Sequence, residues 1–330
     1  MNHVECRMMS FPIQCAMRTT LFSLLCGLLF LTGCGSKGGS SDVSAQGIEL
    51  PDSLRVDDQE FRRLLKQARD LNEAQKARAK RTVNPRVLRK LAQDEHESVR
   101  FEVAFNRYTP YESLMALAGD ESPSVRWAVA VNDSLPFEVM PALAEDTDIV
   151  VRMGLASNLH ATPEVLTTLA ADILPVRRRA AANPNTMPAV LEGLAGDRDA
   201  QVREALGRNI STPPPTLGKL AADAVGAVKV AVANNANTPQ GALTVLGVDT
   251  TGSGVVRQKV AANAHTPKLM LVQLAADTVE AVRRAVSINA NTPKNALERL
   301  SYDRADDIRQ VARGRLAKLL RKEIEEDLDR

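Results

Sequence analysis

Between residues 85 and 316 the apolar positions fall in short blocks, with helical spacing inside each block and polar turns between them. One copy shows the pattern in full. Val282 and Val286 lie four apart in one block, and Leu297 and Leu300 lie three apart in the next, each marking one face of a short helix. The first of these blocks carries a Val-Arg pair that recurs along the chain. Its copies are Val99-Arg100, Val125-Arg126, Val151-Arg152, Val176-Arg177, Val202-Arg203, Val228-Lys229, Val256-Arg257, Val282-Arg283 and Ile308-Arg309. Successive copies lie 26, 26, 25, 26, 26, 28, 26 and 26 residues apart. Two short antiparallel helices in about 26 residues cannot bury their shared face alone, so stacking must make the core continuous. The pattern predicts an all-α chain, an α-solenoid of about nine two-helix repeats over residues 85–316.

The polar positions repeat as strictly. An Asp sits six residues before most of the basic residues, at Asp94, Asp120, Asp146, Asp197, Asp223, Asp277 and Asp303, while Asp172 is five before and Asp249 eight before. An Asn sits six after, from Asn106 through Asn289, and a Thr-Pro step such as Thr162-Pro163 or Thr292-Pro293 follows it. Thr-Pro reads as a helix start, with Thr at the cap and Pro at the first helical position. Asp303 falls where it can cap the following helix, and Asn289 suits a left-handed exit from the helix before it. Groups present in nine copies are architectural rather than catalytic. An Asp–Arg ladder within or between repeats would satisfy both partners.

This grammar, carried by Val282-Arg283-Arg284-Ala285-Val286 followed by Asn289-Ala290-Asn291-Thr292-Pro293, resembles the leucine-rich repeat variant family and more broadly the HEAT-like helical repeats. The resemblance covers roughly residues 85–316. It implies a curved superhelix of paired short helices, the second type partly 3₁₀, acting as an interaction scaffold, and it implies no reaction. Some relatives place a cysteine-rich iron–sulfur module before the repeats, and this chain departs from that pattern.

The four cysteines, Cys6, Cys15, Cys26 and Cys34, all precede the repeats. Arg18 and the apolar run from Leu21 to Leu31 have the form of a signal peptide, ending in Leu31-Thr32-Gly33-Cys34, which looks like a bacterial lipobox. The reading is therefore a lipoprotein signal over 1–33, an acyl chain such as palmitate on Cys34, and a Gly/Ser-rich tether over 34–51. The alternative is an ordinary secretory signal in which Cys34 is incidental. The signal begins more naturally at Met17 than at Met1. Gly35 rather than Asp after the cysteine resembles lipoproteins sorted to the outer membrane, facing the periplasm.

Residues 52–84 form a candidate N-terminal capping helix, with Phe61, Leu64, Leu65, Ala68 and Leu71 on one side; residues 317–330 form a C-terminal one. From Arg62 to Lys90 there are eleven Lys or Arg against Asp70 and Glu73, either a solvated face or a contact with anionic lipid or an acidic partner. The whole chain carries only +2, which disfavours nucleic acid as a partner.

Repeats differ most in the residue after Val-Arg, which runs Phe101, Trp127, Met153, then Arg178, Glu204, Val230, Gln258, Arg284 and Gln310. This position lies about 100° from the buried stripe and faces a surface or groove. With the position four further on, the first repeats present Phe101, Phe105, Trp127, Val131 and Met153 as one apolar stripe, with Tyr108, Tyr111 and Phe137 nearby. Aromatic clusters of this kind mark interfaces. From Arg100 to Thr162 there are nine Asp or Glu against four Arg. Two readings stay open: the stripe receives an unidentified protein partner's segment, or the basic helix of residues 52–81 folds over it.

No constellation of acid, base or nucleophile stands outside the repeat, so no enzyme, cofactor or metal is expected. His160 and His265 occupy one loop position four repeats apart, on the order of 40 Å, and cannot share a metal. The sequence thus reads as a membrane-anchored periplasmic scaffold. A peptide-, glycan- or lipid-binding module of the envelope is the alternative.

Overall fold

The computed structural model describes residues 58–250 and 254–328. The chain divides into two units, Met1–Phe61 and Arg62–Arg330. Of the first, only residues 58–61 are described, where they begin a helix; the signal, Cys34 and the tether lie outside the described residues.

Nineteen helices and no strand occur among the described residues. Helix α1 spans Asp58–Arg81. Thereafter short helices alternate with helices of mostly eight or nine residues. The short set is α2 (Pro85–Leu91), α4 (Tyr111–Leu117), α6 (Met140–Ala144), α8 (Pro163–Ala170), α10 (Pro188–Gly193), α12 (Pro214–Leu220), α14 (Gln240–Gly247), α16 (Lys268–Leu274) and α18 (Lys294–Leu300). The second set is α3 (Glu97–Phe105), α5 (Pro123–Ala130), α7 (Ile149–Ser157), α9 (Leu174–Ala182), α11 (Ala200–Arg208), α13 (Gly226–Asn234), α15 (Val255–Ala262), α17 (Glu280–Ile288) and α19 (Asp306–Leu328). Each helix of the second set packs on the next of its own set and on its short partner. This is an α-solenoid of nine two-helix repeats. The second-set helices are α-helical rather than partly 3₁₀; among the described residues 3₁₀ turns occur at Phe137–Val139 and Leu194–Gly196, which extend the short helices α6 and α10.

Helices this short are marginal alone, so tertiary burial stabilises them. The Val or Ile of every Val-Arg copy is buried, and Leu88, Leu114, Leu143, Leu166, Leu191, Leu217, Leu243, Leu271 and Leu297 supply the facing side. Each such side chain contributes roughly 1.5–3 kcal/mol. The α19 helix runs unbroken past residue 316, so its last turns continue the final repeat helix rather than forming a separate element.

The polar repeats form ladders. The first eight basic residues reach forward to the Asp twenty residues on: Arg126 Nε donates to Asp146 Oδ2 at 2.6 Å, Arg203 Nε to Asp223 at 2.6 Å, and Lys229 Nζ to Asp249 at 2.6 Å. Arg126 Nη1 and Arg203 Nη1 also reach back to the carbonyl oxygen of the Asp six before, Asp120 at 2.8 Å and Asp197 at 2.6 Å. Across the two-residue insertion Arg257 Nη1 still finds Asp249 O at 2.6 Å, now eight residues back, and Gly254 takes the positive φ of 82° that the altered turn needs. The Asp carboxylates accept a backbone N–H in the turn itself, as Asp303 does from Ala305, one residue before α19 begins.

Two expectations are corrected. The exit Asn is not left-handed: Asn289 has φ −59° and ψ 124°, and no non-glycine described residue has positive φ. Its side chain is used instead. Asn209 Nδ2 donates to Ala181 O and Asn183 O, each at 2.8 Å, while its Oδ1 accepts from Ser211 N. An extended exit lets one amide satisfy carbonyls of the preceding repeat. Nor is Thr generally the cap. Thr162 alone caps its helix; elsewhere the hydroxyl donates back to the end of the preceding helix, as Thr238 Oγ1 does to Val232 O at 2.6 Å. Pro239, Pro267 and Pro293 then take the cap position.

The last turns of α1 enter the same ladder. Asn106 Nδ2 donates to Ala79 O at 2.8 Å and Thr82 O at 3.0 Å, the relation each later Asn has with the repeat before it. At the other end Arg315 stands where a ninth Asn would fall, and its guanidinium donates to Ser287 O at 2.7 Å and Ala290 O at 3.0 Å. Burial lowers its pKa from the ordinary value.

Candidate functional site

The position after Val-Arg faces outward along the row of second helices. It is half-buried from Phe101 through Gln258 and exposed at Arg284 and Gln310. In the later repeats it carries polar links between neighbours: Arg178 donates to Gln201 Oε1, and Arg284 joins Glu280 and Asp307, each at 2.7 Å. In the first repeats it carries rings.

Phe101, Phe105 and Trp127 form a stacked trio. Phe101 lies 6.1 Å from both Phe105 and Trp127, centroid to centroid, and Phe105 lies 6.2 Å from Trp127, with interplanar angles of 4°, 9° and 12°. Phe101 and Phe105 share one face of α3, four residues apart, and Trp127 projects from α5 beside them. Phe101, Trp127 and Met153 pack with one side on the core. Phe105 closes the outer edge and is 53 % exposed. Val131 is half-buried, and it borders the same hollow as Trp127 over Gly154.

The five sequence-predicted residues therefore occupy one surface of α3, α5 and α7, and the three rings are in direct contact. The described part of α1 leaves Phe105 open. Tyr108, Tyr111 and Phe137 are exposed as well; the Tyr111 phenol hydrogen-bonds Glu138, which raises its pKa. Around them Glu102 is half-buried, and Glu112, Asp133 and Glu145 are exposed.

Sequence reasoning missed two features. One is Gly154, which makes room for the indole. The other is an open groove of about 410 Å³ between α15 and α17, floored by Ala262, Ala281 and Ala285 and edged by Gln258, Arg284 and Ile288. Gln258, Ala262, Arg284 and Ile288 in its lining hold the register positions that the rings fill in the first repeats, with no ring among them.

Among the described residues no group of three or more His, Cys, Asp or Glu is placed to hold a metal, and no helix is long and apolar enough to cross a membrane. His265 Nδ1 lies 2.7 Å from Ala236 O and so acts as the donor in a loop contact between neighbouring repeats.

No protein-family model matches the chain, and no curated protein does. Among solved structures the chain is similar to a leucine-rich repeat variant described as having a novel repetitive structural motif. That similarity has 27% identity over 71% of this chain and 82% of the other, with a TM-score of 0.44. A computationally designed armadillo repeat protein for modular peptide recognition matches at 14% identity over 78% of this chain and 92% of that one, with a TM-score of 0.13. The solenoid assignment rests on the helix order and ladders above.

Proposed function

We propose that this helical repeat protein is a protein-binding scaffold, held by a lipid on Cys34 at the periplasmic face of a bacterial outer membrane, in an envelope assembly or maintenance complex. The observation that supports it is the Phe101–Phe105–Trp127 trio, whose outer ring is half exposed. A stacked aromatic cluster with an open edge and a polar rim has the composition of an interaction hot spot. Its core-facing rings are already ordered by packing, which lowers the entropic cost of binding. The acidic balance of residues 100–162 favours a partner segment that carries basic charge. No reaction and no cofactor is assigned.

A second reading, a groove for an extended peptide, is favoured by the alanine-floored trough between α15 and α17. Purification from detergent-solubilised envelopes separates the two. Under the first reading Phe105→Ala with Trp127→Ala removes the co-purifying protein, and Ala285→Gln, which fills the trough, leaves it. The reverse pattern favours the peptide groove. Mass spectrometry of the mature N-terminus tests the anchor: an acylated Cys34 supports it, and an unmodified one contradicts it.

A further inference from the structure

We infer that α1 is an interfacial helix whose basic stripe lies on an anionic membrane surface, a second contact beside the proposed lipid on Cys34. Arg62, Lys66, Arg69, Lys76 and Lys80 are spaced four, three, seven and four residues apart, which places them within about 80° of arc on one helix. The stripe is about 27 Å long at helical rise, and only Glu73 interrupts it. Lys66, Arg69 and Lys80 are exposed and Lys76 is half-buried. On α2 the stripe is followed by exposed Arg86, Arg89 and Lys90. Among the described residues, the one salt bridge in this basic region joins Arg89 to Glu112, at 3.9 Å.

The rest of the helix agrees with that placement. Its last turns are fixed to the repeats by Asn106 and by Ser98 Oγ, which lies 3.3 Å from Asn72 Oδ1, and Ala79 is fully buried. Leu71, on the side away from the basic stripe, is 51 % exposed. An exposed basic stripe with no apolar face beside it is held at an anionic surface by charge rather than by insertion. Each Lys or Arg near an anionic surface raises the affinity about five-fold. Twenty-three residues lie between Cys34 and Asp58, enough for about 80 Å when fully extended, so an acyl anchor at Cys34 leaves α1 free to reach the bilayer. That delivery rests on the anchor proposed above, whereas the charge recognition does not.

Hydrogen exchange of the full chain tests the inference, with phosphatidylcholine vesicles and with vesicles containing roughly one-third phosphatidylglycerol. Exchange of amides 63–78 is expected to slow at least several-fold on the anionic vesicles alone, to recover in about 0.5 M salt, and to recover with Lys66→Glu and Arg69→Glu together. Equal exchange on both vesicles overturns the inference, as does slowing that survives the charge reversal. Slowing by soluble polyglutamate but not by anionic vesicles also overturns it, and identifies an acidic protein segment instead. If the anchor is absent, the chain fails to bind phosphatidylcholine vesicles, while the slowing on anionic ones persists.

Discussion

The indole of Trp127 lies directly over Gly154: a Cβ built on residue 154 would come 2.7 Å from the indole Cδ1 and 2.9 Å from its Nε1. The glycine on α7 is therefore what lets a ring from α5 lie flat beside Phe101 and Phe105. Gly154→Ala is expected to push the indole out of the stack. The clash costs about 1–3 kcal/mol, against a gain of about 0.5–1 kcal/mol in helix propensity, so a net loss of stability should result. Trp127 is the one tryptophan in the chain, so its fluorescence reports the stack directly. Unchanged emission with raised stability would contradict this packing.

The Asn ladder predicts an order of damage. Asn209→Ala removes three hydrogen bonds and takes the side-chain donor from Ala181 O, while Asn183 O keeps the Thr186 N–H, a loss of about 2–4 kcal/mol. Asn209→Asp keeps the size but turns an oxygen toward Ala181 O and Asn183 O, which needed a donor. Thermal melts at neutral pH should rank wild type above Ala and Ala above Asp. Asp equal to wild type would mean that the amide is not the donor.

The Asp–Arg ladder predicts a dependence on acid. Burial pushes the Asp146, Asp172 and Asp277 carboxyls up, but guanidinium and backbone N–H hydrogen bonds outweigh it and hold all three below the ordinary carboxylate range. For Asp223 and Asp303 the guanidinium bond is the largest effect, and the direction is the same. A carboxyl held low in the folded state stabilises fully above its unfolded value of about 4, and that stability is lost as pH falls through the folded value. Asp223→Asn should therefore cost about 1–3 kcal/mol at pH 7, with the gap to wild type closing below about pH 4 in urea titrations. A gap independent of pH would exclude the ion pair as its source.

The repeat, its helix pairs and the apolar stripe were legible because period and helical spacing are properties of residue order alone. The direction of the ladder was not. Arg126 has Asp120 six residues before it and Asp146 twenty after, and only stacking decides that it takes the carbonyl of the first and the carboxylate of the second. Asn and Thr were misassigned for a related reason. Local capping rules weigh each residue against its own helix, whereas Asn209 and its counterparts serve the carbonyls of the repeat before, and Thr238 the end of the preceding helix. Gly154 escaped notice because a single glycine in a helix gives no sign of the ring that needs its space.

The central claim is that the ring trio receives a partner, and photo-crosslinking from position 105 in cells tests it most directly. Phe105 is the outer ring and is not packed into the core, so a photo-reactive phenylalanine analogue there preserves the fold. The account predicts one envelope protein captured from position 105, lost when Trp127→Ala is added, and not captured from Gln273 on the short-helix row. Crosslinks only within the chain itself, to residues before Asp58, would contradict it and make the stripe a self-covered surface.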